Sequence, residues 1–227
     1  MNMKRIARIY NDFPTKFGIP RQSGRIKELT GKIVFEKEFR NDEALRGIEQ
    51  FSHLWLIWEF SENIKEEWKP TVRPPRLGGN KRMGVFASRS PFRPNPIGIS
   101  CVKLERIEKT EHEGTVLIVS SADLMNGTPI YDIKPYIPYT DRIEGATGGY
   151  AEEHNGDKAE VVIPDELLEK IPHDKRKPLI EVLRDDPRPA YQHDEERIYG
   201  FPFSDFEVRF KAKENKIIVT DIVKERE

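Results

Sequence analysis

Absences narrow this 227-residue chain before any motif does. It has one cysteine, Cys101, which excludes an intrachain disulfide and fits a reducing compartment. No apolar run approaches the ~20 residues needed to span a bilayer. The N-terminal run MNMKRIARIYNDF has no apolar stretch or small-residue cleavage site of a secretory leader, so no signal peptide is expected. The expectation is therefore a cytoplasmic protein with no membrane partner. No G-x-x-x-x-G-K-[ST] is present, which excludes a P-loop phosphate cradle, and no G-x-S-x-G marks a nucleophile elbow. Gly78-Gly79-Asn80 is not set between a strand and a helix, so it is no dinucleotide fingerprint. His53, His112, His154, His173 and His193 stand far apart, and the lone cysteine offers no metal pair, so no metal is expected.

One local absence carries the most information. The stretch from Trp68 to Leu104 contains no Asp or Glu, yet holds Lys69, Arg73, Arg76, Lys81, Arg82, Arg89, Arg93 and Lys103. The whole chain balances 38 basic against 39 acidic residues for a net charge of −1, so this stretch reads +8 and the remainder −9. A basic run without interleaved carboxylates cannot neutralise itself and points to an anionic partner. Six prolines and four glycines make it loop rather than helix. A flexible basic linker is the bland alternative, but linkers lack large apolar residues. Here Met83 to Ala87 and Ile99 to Leu104 read as strands flanking the Arg/Pro loop. Prolines restrict the residues before them, so Ser90, Arg93 and Asn95 are held extended. Arginines at fixed angles on a stiff loop are suited to gripping a ligand.

The rest of the chain reads as two units. Ile6 to Tyr10 and Lys32 to Phe39 read as strands, separated by the basic Gly/Pro loop PTKFGIPRQSGR. Asn41 is placed to cap a short helix over Asp42 to Arg46, with Gly47 ending it in a left-handed conformation. Phe51 to Phe60 is the most continuously apolar strand, expected to run through the middle of the core, with His53 a structural histidine. Gly114 to Ser121 is a further strand, and Ile130 to Tyr139 continues extended beyond the loop Ala122 to Pro129. Composition shifts to Gly, Ala, Glu and Asp near 140–156, where a boundary is drawn between units 1–145 and 155–227. The first has six or more strands and little helix, which fits an antiparallel barrel or sandwich. The second carries helical patterns at 164–171 and 179–184 and a hairpin over 206–223, and so reads as small and α+β.

With these residues laid out, the chain resembles the TsaA-like family, also called TrmO or YaeB. The matching runs are Pro20-Arg21-Gln22, Phe51-Ser52-His53-Leu54-Trp55, Val72 to Asn80, Ser88 to Gly98 and Asp132-Ile133-Lys134-Pro135-Tyr136. A run such as RSPFRPNPIG is too long to recur by accident. The likeness covers Ile6 to about Thr140, and Asp186 to Tyr191 resembles the family's C-terminal unit. Met125-Asn126 departs from it, since relatives often have an acidic residue before the glycine.

The resemblance implies a mainly β fold: an N-terminal antiparallel β-barrel using S-adenosylmethionine, with a small α+β C-terminal domain contacting tRNA. It further implies a homodimer methylating N6 of threonylcarbamoyladenosine, the modified base just 3′ of the anticodon, on the tRNA anticodon arm. The family's cofactor contacts would fall on Pro20, Arg21, Gln22, Ser61, Glu62, Arg89, Ile99, Asp123, Leu124, Met125 and Asn126. An arginine supplies a bidentate partner for the cofactor carboxylate, and Glu62 or Asp123 an acceptor for its ammonium or ribose. By residue type alone, Glu62 and Asp123 fit a cap or a surface turn equally well. Asn95, Asp132 and Arg93 are the catalytic candidates, the first two as acceptors for the proton of a poorly nucleophilic amine; no general base is singled out. Arg73, Arg76, Arg93, Lys134, Tyr136 and Arg188 are the substrate-binding candidates, guanidinium suiting phosphate and carboxylate alike. Tyr131, Tyr136 and Tyr139 serve as base-stacking or as packing residues. Two other readings share these features: a non-catalytic RNA-binding barrel, and a small-molecule methyltransferase or sensor.

Overall fold

A computed structural model describes residues 3–63, 67–74, 81–152, 158–188 and 194–225. Its first unit contains β1 (Ala7–Tyr10), β2 (Thr30–Phe35), β3 (His53–Glu59), the short β4 (Thr71–Val72) and β5 (Met83–Gly84), β6 (Ile97–Thr110), β7 (Gly114–Ser120) and β8 (Pro129–Pro135). Six of these pair antiparallel in the order β1-β2-β7-β6-β3-β8, and β8 pairs back to β1 through Ala7 opposite Ile130. The pairing therefore runs round in a ring. Strand-forming Val, Ile and Leu alternate along it, and the interior holds Ile9, Ile33, Leu54, Leu56, Trp58, Val102, Leu117, Val119, Leu124 and Ile130.

β3 differs from expectation. Its residues alternate strictly, with Leu54, Leu56 and Trp58 buried and His53, Trp55, Ile57 and Glu59 half-buried. A ring has one interior, so a strand within it buries one face only. The large outer residues are half-covered by chain that follows β8: the Trp55 indole donates to Asp141 Oδ2 at 2.9 Å and lies 5.7 Å from the Tyr136 ring. His53 shares a 2.9 Å hydrogen bond with Ser52 Oγ. Two other expectations shift. The strand placed at Met83 to Ala87 shortens to β5 followed by a 3-10 turn over Val85–Ala87. The extended run past Ile130 stops at Pro135, and Pro138–Asp141 forms a helical turn, α1, with proline at its start where no N–H is needed. Asn41 does cap the turn Asp42–Leu45, accepting from the Glu43 N–H, and Gly47 sits at φ +86°.

The second unit contains β9 (Glu160–Val162), α2 (Asp165–Leu168), α3 (His173–Arg184), β10 (Tyr199–Phe203), β11 (Phe206–Lys213) and β12 (Lys216–Lys224). Its sheet runs β10-β11-β12-β9, with β9 parallel to β12 and the other pairs antiparallel. Leu179, Val182 and Leu183 of α3 share a core with Phe201, Phe203, Phe210 and Ile217 of the sheet. Helix α3 begins six residues before the Leu179-to-Arg184 pattern, at His173, because its first turns carry charged residues that conceal the period.

This second core also contains Phe13, Ile26 and Leu29 from the loop between β1 and β2. The Phe13 ring meets Phe203 edge-on at 5.9 Å, and the Ser204 N–H donates to Asp12 O at 2.8 Å. Gly18 has φ +87°, and a Cβ there would lie 2.5 Å from the Phe201 ring, so no other residue fits without displacing that ring. The 11–29 segment, far from the C-terminal unit in sequence, is thus packed into its core.

Candidate active-site cleft

A cleft of about 720 Å³ opens where four segments meet: the β1–β2 loop, the end of β3, the Arg/Pro loop with the start of β6, and the β7–β8 loop. Its floor depends on a glycine. Gly98 pairs with Trp58 across β6 and β3, and a Cβ at 98 would stand 2.3 Å from the indole ring. The ring lies across the bare backbone and packs on Phe60 at 4.3 Å, giving the cleft an aromatic wall. The Trp58 N–H donates to Ser100 Oγ at 2.9 Å, and Ser100 Oγ donates to Asp123 Oδ1 at 2.5 Å. Burial pushes the Asp123 carboxyl up from its ordinary value, opposed by Ser100, by backbone N–H groups at Asp123 and Ser23, and by the Arg89 charge.

The Arg/Pro loop is ordered from within. Ser88 Oγ accepts from the Ser90 N–H at 3.3 Å, Ser90 Oγ accepts from the Phe92 N–H at 3.2 Å, and Arg93 Nη1 donates to Ser88 O at 3.1 Å. Arg89 Nη1 donates to Gln22 Oε1 at 2.5 Å, joining this loop to the β1–β2 loop across the cleft mouth. Lys16, Arg21, Arg89 and Arg93 thus share a cleft with Glu59, Glu62 and Asp123. Cations to hold a carboxylate, carboxylates to hold an ammonium or hydroxyl, and a flat apolar wall together suit a zwitterionic ligand with a planar ring.

Of the eleven expected cofactor positions, Pro20, Arg21, Gln22, Ser61, Glu62, Arg89, Ile99, Asp123 and Met125 line the cleft. Leu124 does not: its side chain is fully buried inside the ring. Asn126 is exposed, and its Oδ1 accepts from the Asn11 N–H at 3.0 Å, holding one loop to another. Among the other candidates, Arg93 and Asn95 line the cleft. Asp132 and Lys134 do not; they lie on β8 and form an ion pair at 2.9 Å. Tyr136 packs against Trp55 and His53, a packing role rather than a place in the cleft wall. Tyr131 donates to Glu59 Oε2 at 2.7 Å, and Tyr139 is exposed. Arg73 is exposed beyond β4, and Arg76 lies outside the described residues. The Arg188 side chain is bound to both carboxylate oxygens of Asp186, at 2.9 and 2.8 Å, and only 14% of it is exposed.

Sequence reasoning missed Lys16, Trp58, Phe60, Phe92 and Thr128 as cleft residues. Lys16 had a signal, since it belongs to the smaller basic Gly/Pro loop. The inward side of Trp58 had no signal in a strand apolar on both faces; the burial alternation along β3 appears only in the folded ring, which also places the indole beside Gly98.

These features describe a two-part, mainly β protein with a ligand cleft made by loops at one end of a strand ring. Two family models match it: the tRNA-methyltransferase O N-terminal domain over residues 8–142, and the TrmO C-terminal domain over residues 159–225. The chain belongs to the tRNA-methyltransferase O family. It is 40% identical to a tRNA (adenine(37)-N6)-methyltransferase of Escherichia coli K12, over 92% of each chain. It is 43% identical to an enzyme of the same description from Eikenella corrodens, over 76% of this chain and 97% of that one. A crystal structure of TrmO from Pseudomonas aeruginosa superposes with a TM-score of 0.78 at 31% identity, covering 98% of both chains.

Proposed function

We propose that this chain is an S-adenosylmethionine-dependent tRNA methyltransferase that methylates N6 of adenosine 37, in its threonylcarbamoylated form. The strand ring would be the β-barrel of such an enzyme, working as a homodimer in the cytoplasm. The observation that carries this reading is the convergence on one cleft of nine of the eleven residues expected to hold the cofactor. Relatives named for this activity match over nearly the whole chain.

The residues fit the methyl donor. Arg21 and Arg89 offer guanidinium groups to its carboxylate, and Glu62 or Asp123 receives its ammonium or ribose hydroxyls. Trp58 and Phe60 provide a flat apolar face for an adenine. S-adenosylmethionine supplies an electrophilic methyl carbon, and the displacement is in-line, so alignment carries much of the rate. The adenine amine is a weak nucleophile because its lone pair is delocalised into the ring. Asn95, on the cleft wall, can accept from that N–H through its side-chain oxygen and orient the lone pair toward the methyl group. As the new N–C bond forms, the amine proton passes to solvent or to a nearby acceptor, and the broken C–S pair stays on sulfur. Arg93 stands beside Asn95, where it can meet the threonyl carboxylate.

The test uses labelled methyl donor and two tRNA transcripts, one threonylcarbamoylated at position 37 and one unmodified. Label in the modified tRNA alone is the expected result. Equal labelling of both would overturn the substrate assignment, and no labelling of either would overturn the activity.

A further inference from the structure

The loop that carries Pro20, Arg21 and Gln22 is bonded to the strand ring, where the Gly24 N–H donates to Ser121 O at 3.1 Å and the Cys101 N–H to Ser23 Oγ at 3.2 Å, but its apolar side chains are seated in the second unit. Its two flanks are anchored there by Phe13 on one side and by Ile26 and Leu29 on the other, all in the second core. Asp12 is bound by Lys175 of α3 at 2.7 Å. Between these anchors stands an ion pair: Arg25 Nε donates to Asp185 Oδ1 and Oδ2 at 2.8 and 3.1 Å, and Arg25 Nη2 to Oδ1 at 2.5 Å. Only 19% of the Arg25 side chain and 8% of the Asp185 side chain are exposed. A charge pair this deep is retained only where its geometry is well satisfied.

Asp185 is also the residue that ends α3, its N–H bonding to Glu181 O and Val182 O. The chain then turns through Asp186 at φ +49°, a strained conformation for a residue with a side chain. That turn exposes carbonyls to the loop: Arg21 Nη2 donates to Asp186 O at 3.5 Å and Arg188 O at 3.3 Å. A guanidinium at the C-terminal end of a 12-residue helix also meets the negative pole of the helix dipole. From Arg21 the connection crosses the cleft, since Gln22 Nε2 donates to Arg21 O at 2.6 Å and Gln22 Oε1 accepts from Arg89. A continuous polar chain thus runs from the end of α3, through the loop, to the arginine of the opposite wall.

We infer that the second unit is a positioning element of the methyl-donor site: Asp185, through Arg25, holds the Pro20–Gln22 segment in its place on the cleft wall. This rests on the reading of the cleft as the donor site. Among the described residues, the hydrogen bonds of Asp185 run to Arg25 and to the last turn of α3 and none to a residue lining the cleft, so it is a positioning residue and not a catalytic one. On this inference the second unit, which the family resemblance implies contacts tRNA, also sets the affinity for the methyl donor.

The test is titration calorimetry of the full chain with S-adenosylmethionine, together with steady-state KM values for donor and for tRNA. The unsubstituted protein is titrated first. Asp185→Asn keeps the shape and removes the charge, and is expected to raise the donor Kd and donor KM tenfold or more, with the tRNA KM and saturating kcat within twofold. Val219→Ala, a truncation on β12 in the same second core, opposite Phe210 and outside the ion pair, supplies the control for general destabilisation. It is expected to lower the melting temperature and leave the donor Kd unchanged. If Asp185→Asn does not give a folded protein, Arg25→Lys keeps the charge, loses the two-pronged geometry, and is expected to raise the donor Kd severalfold. Unchanged donor affinity in the folded Asp185 or Arg25 variant overturns the inference while leaving the methyltransferase reading intact. Equal loss of affinity in Val219→Ala also overturns it, since the effect would then be stability alone. No donor binding by the unsubstituted chain overturns the cleft assignment and this inference together.

Discussion

Trp58 and Asp123 are joined through a single hydroxyl: Ser100 Oγ accepts from the indole at 2.9 Å and donates to the carboxylate at 2.5 Å. Ser100 and Trp58 are buried, so the indole N–H cannot turn to water if the hydroxyl is lost, whereas the half-buried Asp123 carboxylate faces the cleft. Ser100→Ala therefore strands a buried indole N–H and removes one donor from the carboxylate. The expected cost is about 1–3 kcal/mol of stability, read by urea unfolding, with weaker S-adenosylmethionine binding by calorimetry. A variant as stable as the parent would show that the hydroxyl links nothing of energetic weight.

Gly98 makes a sharper case because its constraint is steric. Adding one methyl group places an atom inside contact distance of the Trp58 ring, which is walled in by Phe60. Gly98→Ala is expected to cost about 1–3 kcal/mol from overpacking, and to impair donor binding because the ring must shift into the cleft. Normal binding with normal stability would mean that the ring has room the structure does not give it.

Asp123 sets a pH dependence. Burial raises its carboxyl above the ordinary value of 3.8, so the folded state disfavours the ionised form more than the unfolded state does. The unfolded chain thus gives up this proton first. Whatever stability the neutral carboxyl allows is fully present below pH 3.8 and declines as pH rises through the folded value. Asp123→Asn cannot ionise, so its stability relative to the parent should climb across that interval and level off above it. Parallel stability curves for parent and variant would contradict the raised value.

Arg89 and Arg73 separate cleft from surface. Arg89 lines the cleft and bonds Gln22, whereas Arg73 is exposed outside it. Loss of a charged hydrogen bond of about 1.5–3 kcal/mol in Arg89→Ala should weaken donor binding by roughly tenfold to a hundredfold. Arg73→Ala should leave donor affinity unchanged, weaken tRNA binding modestly, and lower the salt dependence of that binding by about one counterion. Identical defects in the two variants would deny the separation.

Legibility in the sequence followed the range of the interactions concerned. Turns and caps such as Asn41 and Gly47 were readable because they are satisfied within a few residues. Strand β3 was readable in existence but not in burial, since Trp55 is covered by α1, some 80 positions onward. Strand β9 went unseen because three residues with no period of their own become a strand only beside β12. Asp132, Lys134 and Tyr136 matched a family motif and still fell outside the cleft, because a motif marks proximity along the chain and not the side of a sheet a residue faces.

The carboxylate-free run of arginines, the prolines that stiffen it and the motif RSPFRPNPIG are properties of the chain itself, and they sufficed to indicate the family and an anionic partner. Only the tertiary structure decided which arginines share a cleft, that Trp58 lies across Gly98, and that the loop of Arg21 is seated on the far end of α3. The reason is physical. Charge and backbone stiffness are fixed residue by residue, whereas burial and alignment arise when segments more than 150 positions apart, such as Arg25 and Asp185, close on one another and exclude water.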